Sequence, residues 1–406
     1  MKRQVIFIIA LFAFLLIGTS IAVLYGRGYR FGLDNGKPDL KKTGILAAKS
    51  TPEGSQILVD DHLTGATNEN INLSPKQYSI RIQKDGYLPW TKNVIIEEEV
   101  VTSANAFLFP TAPKLDSITN IGVTKAVLDP SRTKIAYTVA SQSARRNGIY
   151  VFDTAANPVL SLQGASRQIA DDTVGLMSQA DLAWSPDGEF IVASISGELG
   201  PTMYQLNGRQ MNTAPRDVTA IYDTLQSEWE TEIQEKELAL IQNLKKPVRK
   251  LISDNFRVIS WSPDETKILY QASRSADLPF MVKPRLIGIN QLYEQRSLKK
   301  DAVYVYDIKE DVNYKALDAL PSSCNLLIPN ACTLPIQWMP DSNHLIVVDE
   351  KRIDVVEMDG SNKTTVYAGP FIDNFVFPWV DMTRVAMLTN LNNPQIQPNL
   401  YTISLK

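Results

Sequence analysis

The sequence predicts a mainly β chain with one apolar N-terminal helix and one inserted helix, on three observations. An unbroken apolar run opens the chain, and short period-two alternations punctuated by turn residues follow it. A Trp-Ser-Pro-Asp phrase, each copy leading into a β run, then recurs to the C-terminus. The 406 residues exceed what one compact core holds, so at least two folded bodies are expected. Hydrophobic residues at 44% and charged residues at 21% exclude a wholly disordered, collagenous or multi-spanning chain. Forty-one Lys plus Arg against forty-four Asp plus Glu give a net charge of -3, so no nucleic-acid partner is expected.

From Gln4 to Gly26 no charged residue occurs, and Val5 to Leu24 is almost continuously apolar. At about 1.5 Å per residue that run matches a hydrocarbon core of about 30 Å, and it is longer than the apolar stretch of a cleaved signal. Residues 1-26 are therefore expected to be a transmembrane signal anchor, although Ser20 and Ala22 offer small residues at cleavable positions. Arg27, Arg30, Lys37, Lys41 and Lys42 outnumber Lys2 and Arg3, but a long folded domain translocates largely regardless of charge. The body is expected outside the cytoplasm. Tyr25, Tyr29 and Phe31 suit either an interfacial belt or the start of domain packing, and residues 27-43 read as a juxtamembrane linker.

From 44 to 110 the pattern is β. Tyr78, Ile80 and Ile82 share one strand face while Ser79, Arg81 and Gln83 share the other, and Asp85-Gly86 ends the run. Pro52-Glu53-Gly54-Ser55 makes a turn before Gln56-Ile57-Leu58-Val59. This turn, with Leu73-Ser74-Pro75-Lys76-Gln77-Tyr78, Lys84-Asp85-Gly86-Tyr87 and Trp90, resembles the PEGA domain. Ser55 replaces the alanine of the family turn, and Lys76-Gln77 stands where a glycine is usual. The resemblance implies a small, non-catalytic, envelope-exposed β-sandwich. Tyr87 and Trp90 fit buried core aromatics better than ligand-facing ones.

Beyond Pro113 the repeated phrases are Leu128-Asp129-Pro130-Ser131, Trp184-Ser185-Pro186-Asp187, Trp261-Ser262-Pro263-Asp264, Trp338-Met339-Pro340-Asp341 and Trp379-Val380-Asp381. They lead into β runs at Lys134, Phe190, Lys267, His344 and Arg384, and second strands follow at Ile149–Asp153 and Val303–Asp307. The spacings are 56, 77, 77 and 41 residues. Setting aside a helical segment in the second gap and a Pro-containing stretch at 273-299 in the third leaves a period of about 40 to 50, that of propeller blades. The phrase complete at Trp184 to Gly188 resembles the repeat of TolB-type, WD-like β-propellers, which implies five to six blades over 115-406 and a wide, shallow binding platform.

Asp187, Asp264 and Asp341 tempt a metal or catalytic reading, but aspartate after Ser-Pro accepts backbone hydrogen bonds within its turn, so structural roles in separate blades are expected. The inserted helix, expected at about 216-247, places Ile221, Leu225, Trp229 and Ile233 four residues apart on one face. Glu228 to Glu237 make its middle acidic, Lys245, Lys246, Arg249 and Lys250 make its end basic, and Pro247 is expected to stop it. It reads either as a helix packed across the blades or as a docking arm anchored by Trp229.

The two histidines, His62 and His344, and the two cysteines, Cys324 and Cys332, leave little material for imidazole catalysis or a soft-ligand metal site. The cysteine spacing allows a disulfide in an oxidising compartment and equally allows two small buried thiols. No His-Glu-x-x-His, Cys-x-x-Cys or Gly-x-Ser-x-Gly occurs, so no catalytic residue, metal or cofactor is expected. The expected function is that of a membrane-anchored extracytoplasmic binding or scaffold protein of the cell envelope, with a cell-wall polymer or envelope protein as partner. The alternative is a carbohydrate-active propeller enzyme using paired carboxylates.

Overall fold

A computed structural model describes residues 2–26, 30–34, 37–154, 166–286, 290–321, 335–349, 351–372 and 375–406. The chain divides into two compact units, Met1–Thr111 with Val282–Glu294 and Ala112–Met281 with Gln295–Lys406. Cys324 and Cys332 lie outside the described residues, as do Arg27 and Tyr29 and the side chains of Tyr25 and Phe31.

Helix α1, Lys2–Gly26, covers the expected anchor, and its side chains are described from 7 to 23. They are exposed throughout, from Phe7 to Val23. Among the described residues no helix is long and apolar enough to cross a membrane. The stretch from 7 to 23 reaches about 25 Å, against about 30 Å of hydrocarbon. The transmembrane span expected over Val5–Leu24 is thus not shown by the described residues. The expected linker is not featureless either, because Arg30–Asp34 and Lys37–Lys41 pair as an antiparallel hairpin.

The rest of the first unit is two facing sheets. Gly44–Thr51 lies between Glu69–Leu73, antiparallel to it, and Val101–Phe107, parallel to it. Across the core, His62–Ala66, Gln56–Val59, Lys76–Gln83 and Trp90–Ile96 run antiparallel in that order. Leu46 and Ala104 from one sheet meet Ile57, Ile80, Ile82 and Trp90 from the other, the alternation that a half-buried strand requires. Trp90 is buried and Tyr87 packs against the core edge, so neither is a ligand-facing aromatic. Ser55 is fully buried where an alanine was expected. Its hydroxyl donates to the Pro52 carbonyl at 2.9 Å and accepts from Ser50 Oγ at 2.9 Å, which offsets the desolvation of the added oxygen.

The second unit contains, among the described residues, five four-stranded antiparallel sheets. The first is Ala126–Leu128, Lys134–Val139, Gly148–Asp153 and Ser166–Asp171. The second is Asp181–Trp184, Phe190–Ile195, Thr202–Asn207 and Arg216–Asp217, and the third is Phe256–Trp261, Lys267–Ala272, Val303–Asp307 and Val312–Leu317. The fourth is Ile336–Trp338, His344–Asp349, Arg352–Glu357 and Thr364–Ala368. The fifth joins Val376–Pro378, Arg384–Thr389 and Asn399–Ser404 to Leu115–Ser117 from the start of the unit. Each phrase predicted from sequence opens one sheet, and all five β runs after the phrases are strands. No closed ring of sheets is found among the described residues.

The repeated tryptophans fill gaps between sheets. Trp184 packs with Val151 and Ile169 of the first sheet, Trp338 with Leu269 and Val305 of the third, and Trp379 with Tyr137 and Phe152 of the first. A large ring buried between two faces supplies apolar area to both, which is why this position recurs as Trp.

The inserted segment differs from expectation. Arg216–Asp217 is the outer strand of the second sheet, helix α2 runs Tyr222–Gln242, and helix α3 runs Lys246–Asn255. Pro247 sits in the first turn of α3 and so begins a helix instead of ending one, because a first-turn proline has no N–H to waste. The basic residues 245 to 250 therefore flank the start of α3, and the last turn of α2 holds none. Val248, Leu251 and Ile252 of α3 pack on Phe256, Ile268 and Tyr270 of the third sheet.

Candidate functional site

The five turns share one construction. Arg132, Gly188, Glu265, Ser342 and Met382 occupy the same place in each turn, all in the left-handed region with φ from 58° to 67°. The aspartates spend their oxygens locally. Asp187 Oδ1 accepts from Ser185 Oγ at 2.5 Å and from the Glu189 N–H at 2.9 Å, and Asp264 Oδ1 accepts from Ser262 Oγ at 2.6 Å and the Thr266 N–H at 3.1 Å. Asp341 Oδ1 accepts from the His344 N–H at 3.1 Å, while its Oδ2 lies 2.5 Å from His344 Nδ1. Burial raises the Asp264 carboxyl, but the Ser262 and Thr266 hydrogen bonds and Lys267 outweigh it and hold it at about 2. Asp341 is likewise held low despite its burial, by His344. These groups are turn formers, as the sequence pattern predicted.

The turn tips of different sheets also meet. The Asp264 N–H donates to Ser342 Oγ at 3.2 Å, and Arg132 Nη1 donates to the Trp338 carbonyl at 3.0 Å, joining the first sheet to the fourth. Burial lowers the Arg132 pKa. Sequence reading did not single out Arg132, although its alignment with Gly188 marks it as a left-handed position. Also missed was the contact of Val282–Glu294 with strand Trp90–Ile96. Asn290 Nδ2 donates to the Asn93 carbonyl at 2.9 Å, and the Asn93 N–H donates to Tyr293 Oη at 3.1 Å.

One carboxyl departs from the turn pattern. Burial raises Asp307, which accepts from the Glu310 N–H at 2.8 Å and lies 3.9 Å from Lys267 Nζ. Burial and Asp307 raise Glu310 in turn. Among the described residues no three His, Cys, Asp or Glu side chains gather as a metal ion would require. His62 is exposed, its Nδ1 2.8 Å from the Asp60 carbonyl oxygen.

Helix α2 keeps much of its surface in solvent. None of its 21 residues is buried. Its side-chain hydrogen bonds and ion pairs stay within the helix: Gln226 to Glu230 at 2.9 Å, Thr231 to the Ser227 carbonyl at 2.8 Å, and Lys236 to Glu232 at 2.8 Å. Tyr222, Leu225, Trp229, Ile233, Lys236 and Leu240 follow a 3-4-4-3-4 spacing along one face. Ile233 is 55% exposed. On the opposite, polar face an open groove of about 550 Å³ is lined by Asp223, Ser227, Glu228, Thr231, Glu232 and Glu235. Beyond the C-terminal end, Leu244 joins the core of α3 and the third sheet, which fixes the foot of the helix. Tyr222, Leu225, Trp229 and Leu240 on the apolar face are half-buried, and Ile233 is the exposed one among them.

The PEGA domain family matches residues 43–111. No curated protein sequence matches the chain. Solved structures similar to it include a protein described as TolB from Agrobacterium tumefaciens, 13% identical, with 70% of this chain and 74% of that chain covered and a TM-score of 0.22. TolB from Acinetobacter baumannii is 12% identical, with 80% and 59% covered and a TM-score of 0.21. An oligogalacturonate lyase in complex with manganese is 10% identical, with 81% and 74% covered and a TM-score of 0.22. The sandwich of the first unit is therefore a PEGA domain, carried by a chain whose larger unit is built from repeated four-stranded sheets.

Proposed function

We propose that this chain is an anchored extracytoplasmic binding or scaffold protein of the cell envelope. In this reading α1 holds it in a membrane, since the apolar run Val5 to Leu24 is of spanning length and its described side chains are exposed. The PEGA domain supports a body whose five sheets act as propeller blades. The observation that carries the binding role is α2, a 21-residue helix with an apolar stripe and no buried residue. A helix normally hides such a stripe completely, and one hidden only in part leaves apolar surface for a partner.

The test replaces residues 222–242 by a short Gly-Ser linker in the full chain. The expected result is an unchanged melting temperature with loss of crosslinks to envelope proteins. A large drop in melting temperature would mean that the helix is a structural element and would refute the docking role. Protease added outside intact cells should digest the body; protection of the body would refute the extracytoplasmic placement.

A further inference from the structure

We propose that Arg132 binds the carboxylate of an external ligand where the turns of the first and fourth sheets meet, a site separate from α2. The side chain leaves its own turn, and Nη1 donates to the Trp338 carbonyl at 3.0 Å. That bond uses one N–H donor of the guanidinium and none of its charge. The residue is half-buried, yet among the described residues no carboxylate makes an ion pair with it, and no charged side chain offsets the burial that lowers its pKa. The half-buried Arg285 and Arg296 differ, since Glu294 lies 2.8 Å from the first and Asp311 lies 3.1 Å from the second. A cation withdrawn from water is costly unless an anion and hydrogen bonds compensate it.

The turn carboxylates do not supply that anion, because each is held in its own loop. Asp129, in the turn of Arg132 itself, accepts from the Thr133 and Lys134 N–H groups at 2.7 and 2.6 Å. Asp187, Asp264 and Asp341 are committed as described above, and Asp381 accepts from the Thr383 N–H at 2.9 Å. Position 132 also has a φ of 59°, where the second sheet carries Gly188, so the arginine adds backbone strain to an unpaired charge. The class of ligand follows from the donors left over. With Nη1 on the Trp338 carbonyl, the edge formed by Nε and Nη2 remains; neither atom donates within the described residues, and neither is sealed from water. That planar edge matches a carboxylate, whose two oxygens accept parallel hydrogen bonds, and one guanidinium balances the single charge of a carboxylate but not that of a phosphate dianion.

The full chain in phosphatidylcholine nanodiscs is treated with phenylglyoxal, and modification of Arg132 is followed by peptide mass spectrometry with the exposed Arg145 as internal reference. Sodium acetate is titrated against sodium chloride of equal ionic strength. Acetate should slow modification of Arg132 by about tenfold when in about tenfold excess over its dissociation constant, and should leave Arg145 unchanged. Triglycine with a free carboxylate, set against triglycine amide, then separates the two sources: protection by the acid form alone extends the site to peptide ends, and protection by acetate without triglycine confines it to small acids. An Arg132 that does not react in the absence of acetate would show that the chain itself covers the free edge, and overturns the proposal. Equal slowing by chloride overturns it too, and stronger protection by inorganic phosphate overturns the carboxylate class. In calorimetry acetate should raise the melting temperature of the parent and not that of Arg132→Gln, and an equal rise in both counts against the site. Should that variant not fold, the modification assay on the parent decides alone. No residue of α2 enters these measurements, so their failure leaves its docking role standing.

Discussion

Two tryptophans differ in how deeply the fold uses them, and replacing each by alanine should have unequal consequences. Trp338 is 0% exposed, between Leu269 and Val305 of the third sheet and Leu345 of the fourth. A buried indole removes about 200 Å² from water, so truncation forfeits several kcal/mol at about 25 cal/mol/Å². The cavity left behind brings the expected cost of Trp338→Ala to about 4 kcal/mol. For a unit of this size that corresponds to a fall in melting temperature of about 8 °C. Trp338→Phe should cost far less, because the indole N–H has no hydrogen-bond partner to lose. Trp229 is half-buried on a helix without fully buried residues, so Trp229→Ala should cost far less, about 1 kcal/mol. Alanine's better helix propensity even favours the variant slightly. Calorimetry of the full chain and the three variants reads all of these together. A fall of more than about 4 °C for Trp229→Ala would show that the α2 face is packed, and the reasoning from its exposure would fail.

Asp264 titrates at about 2 in the folded chain against an ordinary 3.8, so its stabilising contribution is present above the ordinary value and is lost as pH falls towards 2. Asp264→Asn should therefore flatten the stability profile between about pH 4 and pH 2, and a parallel profile measured by urea unfolding would contradict the assignment. Gly148 has φ of 133°, and a Cβ there would lie 2.1 Å from the Ala170 carbonyl oxygen, so Gly148→Ala should cost about 2 kcal/mol or more in the same unfolding assay. Arg132→Gly loses the hydrogen bond to Trp338 but suits the left-handed turn that Gly188 occupies in the second sheet. Arg132→Ala, which loses the bond and keeps the strain, should melt lower by an amount equivalent to about 1 kcal/mol.

Much of the fold could be read because two local signals coincide at each repeat. A Pro-Asp or Pro-Ser turn, reduced to Val380-Asp381 in the fifth repeat, fixes where a strand starts, and a β pattern follows within a few residues, as in Trp184 to Ala193 and Trp261 to Tyr270. The PEGA segment was legible for the same reason, with Tyr78, Ile80 and Ile82 all buried as their alternation requires. What stayed hidden is non-local. Asn290 and Asn93 are 197 positions apart, and neither residue's surroundings in sequence hint at the other. Arg132 and Trp338 are 206 positions apart. Pro247 was ambiguous by nature, since a proline one residue past a helix and a proline one residue into the next look alike in sequence. The candidate site was half legible. The period of α2 was plain at Leu225, Trp229 and Ile233, but a hydrophobic period says that a face will be covered without saying whether the cover is this chain or another.

That last ambiguity has a physical resolution in how α2 is held. A helix whose apolar side chains are at most half-buried receives only part of the tertiary packing that usually stabilises helices. What remains for α2 is the propensity of its Glu, Leu, Gln and Ala residues and pairs such as Glu232 with Lys236, worth a few tenths of a kcal/mol each. Against this, carboxylates at 228, 232 and 235 repel along one side. Ile233 and Leu238, both more than half exposed, therefore do little for the free chain, and leaving them in water costs free energy that burial would recover. The turns offer the opposite case, for Asp187, Asp264 and Asp341 are already satisfied within their own loops and would gain little from a ligand. On the proposed reading, what α2 leaves exposed, Ile233 and Leu238 among its apolar side chains, is the surface that a partner would gain from covering.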